Sequence, residues 1–315
     1  MDKIQFSIIM PNYNKSQYLS FSIESVLEQT YPFFELIIID DGSLDDSVRI
    51  IESYKDSRIM LIKQENSGAA AARNNGIKNA RFNFVAFLDS DDIWLPHFLE
   101  KMVSLINSFP DAGAYSCAFF KEKIDADNLK KYDRIKCLDS KDYIIDNYYD
   151  SVLNGTEAMT ASTTVVRKTV FELCGLFPVG LKNWEDFDMW IRIALYSKVC
   201  YTTCICAVYN DVPNSASRNR ENLHAPVFDD YRYHIRKSGI SGEQKKSFVR
   251  LVAQKKGHAA YEQYLIDRNG WKAVKEVIPF VYVRFRDKTY WSSMIQFLIT
   301  PERVFGILNK LGRAR

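Results

Sequence analysis

The chain has 315 residues, 47% of them apolar, and a formal net charge of +3. That is ordinary for a globular protein and leaves room for one large core or two smaller ones. The small total hides an asymmetry: residues 231–315 hold 18 Lys and Arg against 6 Asp and Glu, so residues 1–230 are net negative. An acidic front suits a cation site, and a basic rear suits an anionic surface or a solvated helical face. No run of 18 apolar residues is present, so no membrane-spanning helix is expected. The N-terminus enters an apolar run at once, which predicts no signal peptide. Six cysteines without a C-x-x-C pair, and only four histidines, argue against a zinc site and for reduced, cytosolic thiols. Cys204-Ile205-Cys206 reads as strand packing.

In chain order, four short apolar runs come first: Phe6–Met10, Phe34–Ile39, Ile59–Lys63 and Phe84–Leu88. Three are unbroken enough for strands buried on both faces, as in a parallel sheet. Each leads into a polar cluster: Pro11-Asn12-Tyr13-Asn14, Asp40-Asp41-Gly42-Ser43, Asn66 to Arg73, and Asp89-Ser90-Asp91-Asp92. Helix patterns lie between them. Leu19, Ile23, Val26 and Leu27 recur at helical spacing, Val48 and Ile51 follow Asp45 as a candidate N-cap, and 69–80 is alanine-rich. A further helix opens at Pro96 and ends at Pro110. The alternation predicts a right-handed, doubly wound α/β layer. Parallel strands end on one rim, so the four clusters should converge on one acidic crevice there.

Further on, Ala114–Phe120 is apolar, and residues 121–155 read as an insertion or surface excursion. Thr160–Val166 predicts a strand, Phe187–Tyr196 a helix, Val199–Tyr209 a strand and Asn210–Asn222 a loop. From about Pro226 strands vanish and helix patterns run to the end. The last, Pro301–Leu311, carries Val304, Phe305, Leu308 and Leu311 on one side. The division expected is a nucleotide-binding catalytic domain over 1–225 and a basic helical region over 226–315.

Asp89 and Asp91 lie two apart on extended chain and can face the same side. Two carboxylates make a partial shell for Mg²⁺ or Mn²⁺, which take their remaining ligands from water and substrate phosphates. The plain alternative is an acidic turn. Asp40-Asp41 can accept a base N–H or simply form an Asp-Gly turn. Arg73 can clamp a phosphate or pair with a crevice acid. Glu185, Asp186 and Asp188 open a helix, where the dipole favours acids anyway; the functional reading is a general base, with Trp184 as a wall for a sugar ring. Neither G-x-G-x-x-G nor G-x-x-x-x-G-K-[ST] occurs, which removes support for dinucleotide and P-loop readings.

The order of these motifs resembles the family 2 glycosyltransferases. The matching stretches are Ser7–Asn14, Ile39–Ser43, Asn66-Ser67-Gly68 through Ala72-Arg73-Asn74 to Gly76, Phe87–Asp92 and Trp184–Trp190. The resemblance implies a GT-A, Rossmann-like doubly wound mixed sheet, mostly parallel, with a C-terminal helical region. It implies a metal-dependent inverting glycosyltransferase using a nucleotide-sugar donor, expected to be UDP-linked, and a glycan or polyprenyl-linked acceptor in bacterial surface polysaccharide synthesis. Pro11 and Tyr13 would flank the nucleobase and Asp41 would bond its N–H. Arg73 would sit by the base and the acids, and Asp89 would touch the ribose. Asp91 would ligate Mn²⁺ or Mg²⁺, and Asp186 would be the catalytic base. Two departures stand out. Tyr209-Asn210-Asp211 lacks the basic residue many relatives carry there, which leaves Arg218 or Arg220 for the diphosphate, and nothing after about 226 matches. The enzyme is expected in the cytoplasm on the inner membrane face, with Phe305, Leu308 and Leu311 in the headgroup region. Equally, the basic helices can form a dimer face, giving a homo-oligomer, or a lid; nucleic acid is not an expected partner. A nucleotidyltransferase and a non-catalytic nucleotide-sugar-binding or scaffold protein remain the alternatives.

Overall fold

The computed structural model describes residues 3–124, 132, 135, 137, 139–156, 159–181, 183–211 and 226–267. Strands β1 (Phe6–Asn12), β2 (Phe34–Asp40), β3 (Ile59–Lys63) and β4 (Phe84–Phe87) alternate with helices α1 (Ser16–Leu27), α2 (Ser47–Ser53) and α3 (Ala69–Asn79). They pair in parallel in the order β3-β2-β1-β4. The chain goes on through β5 (Ile93–Trp94), α4 (Phe98–Ser108), β6 (Ala112–Glu122), β7 (Asp142–Ile144), α5 (Tyr148–Leu153), β8 (Thr164–Arg167) and α6 (Lys168–Cys174). Then come α7 (Glu185–Tyr196), β9 (Lys198–Asn210), a 3₁₀ turn at Pro226–Phe228, α8 (Tyr231–Lys237) and α9 (Gly242–Asp267).

These strands form one sheet, β3-β2-β1-β4-β8-β6-β9-β5, with β7 also on β9. Six run one way; β5, β7 and β8 oppose them. Alternation on β1 and β2 divides the apolar side chains between the two faces. Ile8, Met10, Leu36 and Ile38 join Leu19, Ile23, Phe98 and Met102 of α1 and α4. Ile9, Ile37 and Ile39 join Ile77 of α3 and Met189 and Ile193 of α7 on the other face. Strands buried on both faces need continuous apolar runs, which is the pattern the first 88 residues carry. Val227, Phe228, Phe248, Leu251 and Val252 belong to the second of these clusters.

The local departures have physical causes. The run from Thr160 begins as a turn, with the Thr163 amide donating to the Thr160 carbonyl at 3.3 Å, so β8 starts only at Thr164. Hydroxyl side chains that bond local backbone compete with strand pairing. Strands β5 and β7 have two and three residues, too short for a period of two to register. The cap position of α2 falls at Asp46, one residue past the expected Asp45, and makes no side-chain cap bond, while the Asp45 side chain takes the first helical amide. Its Oδ1 accepts from the Ser47 amide at 3.0 Å and its Oδ2 from the Ser16 amide at 2.9 Å, so it ties α2 to α1. The expectation of uniformly reduced thiols is also corrected: Cys137 and Cys204 pair as a disulfide with Cα atoms 5.0 Å apart, while Cys117, Cys174, Cys200 and Cys206 are free. Among the described residues, no helix is long and apolar enough to cross a membrane. Arg218, Arg220 and the expected helix at 301–311 lie outside the described residues.

Candidate active site

The parallel register places Asn12 beside Asp40 and sets the ends of β1, β2 and β4 on one rim. Asn12 Nδ2 donates to Asp40 Oδ1 at 2.8 Å and to Ser43 Oγ at 3.1 Å, fixing the two strand ends together. Ser43 Oγ also accepts from the Asn14 amide at 3.0 Å, and Asn14 Oδ1 accepts from the Leu44 amide at 2.7 Å. Pro11 is buried at the end of β1, whereas the Tyr13 ring is 44% exposed on the rim. That contrast follows from the chain leaving the sheet between them.

Asp41 is buried and holds the turn before α3. Its Oδ1 accepts from Gln64 Nε2 at 2.7 Å and the Ser67 amide at 2.9 Å, and its Oδ2 from the Gly68 amide at 2.8 Å. A carboxylate offers about four lone-pair sites, so Oδ2 keeps capacity for one more donor. Gly42 sits at φ +78°, and a Cβ there would meet the Asn66 amide nitrogen at 3.1 Å. Only glycine takes this close, left-handed turn without strain.

Arg73, on the buried face of α3, joins the two halves of the site. Its Nη2 donates to Asp89 Oδ1 at 2.8 Å and its Nη1 to Glu185 Oε1 at 3.3 Å. Its guanidinium lies 5.5 Å from the Phe177 ring centroid, and its Nε has no protein partner. Phe177 is itself held by Asn74, which donates from Nδ2 to its carbonyl at 2.8 Å and accepts its amide at 2.9 Å. Burial opposes the Arg73 charge, but Asp89, Glu185 and Asp186 together outweigh it and hold the cation on.

Asp186, at the start of α7, is half-buried. Burial and the neighbouring Glu185 push its carboxyl up to about 6, against the pull of Arg73 and the Phe187 amide, which donates to its Oδ1 at 2.6 Å. Trp184, just before, is held at φ +67°, a left-handed conformation rare for a bulky residue. Such strain costs on the order of 1–3 kcal/mol and persists only where the surroundings enforce it. It turns the chain so that Glu185 and Asp186 enter the crevice. Asp188 is different: it is fully buried, accepting from Arg192 Nε at 2.6 Å and the Val227 amide at 2.7 Å. It locks α7 to the Pro226–Phe228 turn, with one oxygen committed to each partner.

The carboxylates after β4 have separate jobs. Asp92 is buried, accepting from Ser162 Oγ at 2.5 Å and the Asn210 amide at 2.8 Å. Ser162 also accepts the Asp89 amide at 3.2 Å and takes the Trp94 indole N–H on its carbonyl at 2.8 Å. Asp91 is paired with Lys15 Nζ at 2.5 Å. Burial and Asp89 raise its pKa, with Lys15 opposing. Lys15 and Ser162 were not among the residues singled out from sequence. Lys15 follows directly on the Asn12-Tyr13-Asn14 cluster, its one sequence signal; Ser162 lies in the run from Thr160 whose pattern predicts a strand.

A divalent ion fits the residues present. The Asp91 carboxylate already neutralises a cation, the Lys15 ammonium, and its oxygens, with those of Asp89 next to it, are the hard donors that Mg²⁺ and Mn²⁺ prefer.

The sheet therefore ends in carboxylates, with Arg73 bonded to both Asp89 and Glu185. The model of glycosyl transferase family 2 matches residues 7–172, and the chain belongs to that family: it is a glycosyltransferase. It is 32% identical over 238 residues to the UDP-Glc:alpha-D-GlcNAc-diphosphoundecaprenol beta-1,3-glucosyltransferase WfgD of Escherichia coli, covering 70% of this chain and 82% of WfgD. It is 42% identical over 231 residues to TuaG of Bacillus subtilis, a putative teichuronic acid biosynthesis glycosyltransferase, covering 72% and 86%. Among solved structures, S. aureus TarS 1–349 in complex with UDP-GlcNAc superposes with a TM-score of 0.68 at 16% identity, covering 89% of this chain and 81% of that one. The GT-A fold expected from the motifs is therefore present.

Proposed function

We propose that this enzyme moves a sugar from a UDP-linked donor to a hydroxyl of a glycan or polyprenyl-linked acceptor in cell-surface polysaccharide synthesis, with inversion at the anomeric carbon. One observation carries the reading: Arg73 is bonded to both Asp89 and Glu185, which brings the nucleotide rim and the start of α7 into one crevice. UDP-Glc and a diphosphoundecaprenol-linked acceptor in WfgD, and UDP-GlcNAc in the TarS complex, support the donor and acceptor classes.

Pro11 and Tyr13 flank the base at the exposed rim, and Asp41 offers its remaining lone pair to the base N–H. Asp89 receives the ribose while Arg73 holds it in place. Asp186 takes the proton from the acceptor hydroxyl as its oxygen attacks the anomeric carbon. The bond to the diphosphate breaks on the opposite face and its electron pair leaves with the nucleoside diphosphate. Asp91, with Asp89 adjacent, would hold Mn²⁺ or Mg²⁺, and such an ion supplies charge stabilisation to the departing diphosphate. Lys15 must release Asp91 for this, so it neutralises the carboxylate between turnovers.

The test is a panel of nucleotide sugars with a GlcNAc-diphospho-lipid acceptor, assayed with Mn²⁺ and with EDTA. A nucleoside diphosphate product, lost in EDTA and in Asp91→Ala, is expected. Full activity in EDTA would remove the metal role, and pyrophosphate release would make the enzyme a nucleotidyltransferase. The basic balance of 231–315 supports contact with an anionic membrane surface. Flotation of the full chain on anionic but not neutral vesicles is expected, and equal flotation on both would remove that contact.

A further inference from the structure

A second cluster lies away from the acidic crevice. His97 precedes α4, Cys204 and Cys206 sit two apart on β9, and Cys137 comes from the excursion after β6. One ligand atom from each lies within 4.8 Å of all the others. We propose that, when its thiols are reduced, the chain binds one zinc ion through His97, Cys137, Cys204 and Cys206.

The geometry is that of a closed Cys₃His site. A tetrahedral zinc with Zn–S of about 2.3 Å and Zn–N of about 2.0 Å sets its ligand atoms about 3.5–3.8 Å apart. Here Cys206 Sγ is 3.3 Å from Cys204 Sγ, and Cys204 Sγ is 3.6 Å from His97 Nε2. The C-x-C spacing on a strand aims both thiols at the same side. A disulfide between Cys137 and Cys204 accounts for two of the sulfurs and gives no reason for a third thiol and an imidazole at the same point. The disulfide and the metal are mutually exclusive, because zinc needs both thiolates.

Zinc binding releases the thiol protons as the thiolates ligate, and the His97 Nε2 proton, which now faces the Ile205 carbonyl at 3.1 Å, moves to Nδ1 so that Nε2 can ligate. An open hollow of about 310 Å³, lined by His97, Glu100, Lys101, Ser104, Ile135 and Cys137, leads to the cluster and gives an ion a way in.

Sequence spacing hid this site because its ligands come from three separate segments. Its place in the fold gives it a structural task. The Leu95 amide donates to the Cys206 carbonyl at 2.8 Å, and β5, next after the Asp89–Asp92 cluster, pairs with β9 at Val208 and Ala207. A zinc here would pin the excursion to the strand unit that carries the acidic cluster. It is chemically distinct from the cation of Asp91, which asks for oxygen donors.

The test is metal analysis of the full chain purified under reductant without chelator. One zinc per chain is expected, lost in Cys206→Ser and His97→Ala and kept in Cys174→Ser and Asp91→Ala. Should a variant fail to fold, cobalt substitution of the wild type decides: thiolate-to-cobalt charge-transfer and tetrahedral d–d bands are expected. The inference is overturned by a reduced, folded wild type that holds no zinc and gives no such bands. It is equally overturned by zinc retained in folded Cys206→Ser and His97→Ala, or by octahedral cobalt spectra.

Discussion

The Asp186 carboxyl stands between opposed influences: burial and Glu185 raise it to about 6, and Arg73 draws it down. A base with that pKa is ionised at neutral pH and protonated in mild acid. The rate should therefore fall about tenfold per pH unit below about pH 6, measured as kcat/KM against pH. Stability moves the other way. The folded pKa lies above the usual value of 3.8, so the folded state holds this proton more tightly and loses stability as pH rises from about 4 to about 6. Asp186→Asn removes the cost, so its Tm should exceed wild type at pH 8 and by less at pH 5; a lower Tm at pH 8 would contradict the strained-base reading. Arg73 tests the same balance from the other side. Arg73→Lys keeps the charge but cannot span Asp89 and Glu185, whereas Arg73→Gln leaves both without their partner. Breaking a buried pair in this way costs about 3–5 kcal/mol. Thermal melts should rank Arg73→Gln below Arg73→Lys below wild type, and the acid limb of the Gln variant should move above pH 6.

Elements were legible where length and burial gave the pattern time to repeat. Runs such as Phe34–Asp40 announced β2 because both faces are buried, and Ile37 and Ile38 point to opposite clusters. Strand β5 was invisible for the opposite reason: its two residues hide behind the acidic cluster. The site was legible as motifs at strand ends, but its wiring was not. Nothing in the spacing says that Arg73 reaches Glu185, 112 residues on, or that Ser162 supports Asp92 from a turn before β8. Asp89, Asp91 and Asp92 look equivalent in sequence; burial and the bonds from Ser162 and the Asn210 amide make Asp92 a strut. The packing of α3 on β1 gives a direct check. A Cβ on Gly76 would collide with Ile9 Cγ2 and lie 2.9 Å from its Cγ1. Ala gains up to about 1 kcal/mol of helix propensity over Gly, but overpacking costs about 1–3 kcal/mol. Gly76→Ala should therefore lower the denaturant midpoint; an unchanged or higher midpoint would mean that α3 moves freely off the sheet.

For the molecule as a whole, one sheet with helices on both faces carries the candidate site residues among those described, and α9 closes one face. Phe248 is fully buried, its ring 5.1 Å from that of Tyr149 on α5. Phe248→Ala should cost about 3–5 kcal/mol in one cooperative unfolding transition, because its cluster also includes the sheet residues Ile37 and Val85. Two separated transitions would mean that the helices after Pro226 fold apart from the sheet. The sheet in turn holds Asp91 by the end of β4 and Asp186 at the start of α7, linked through Asp89 and Arg73. The most direct test of that arrangement is the acceptor-dependent kcat of Asp186→Asn at saturating donor. A fall of about 10²–10⁴-fold with donor binding unchanged is expected; a wild-type rate would contradict the account.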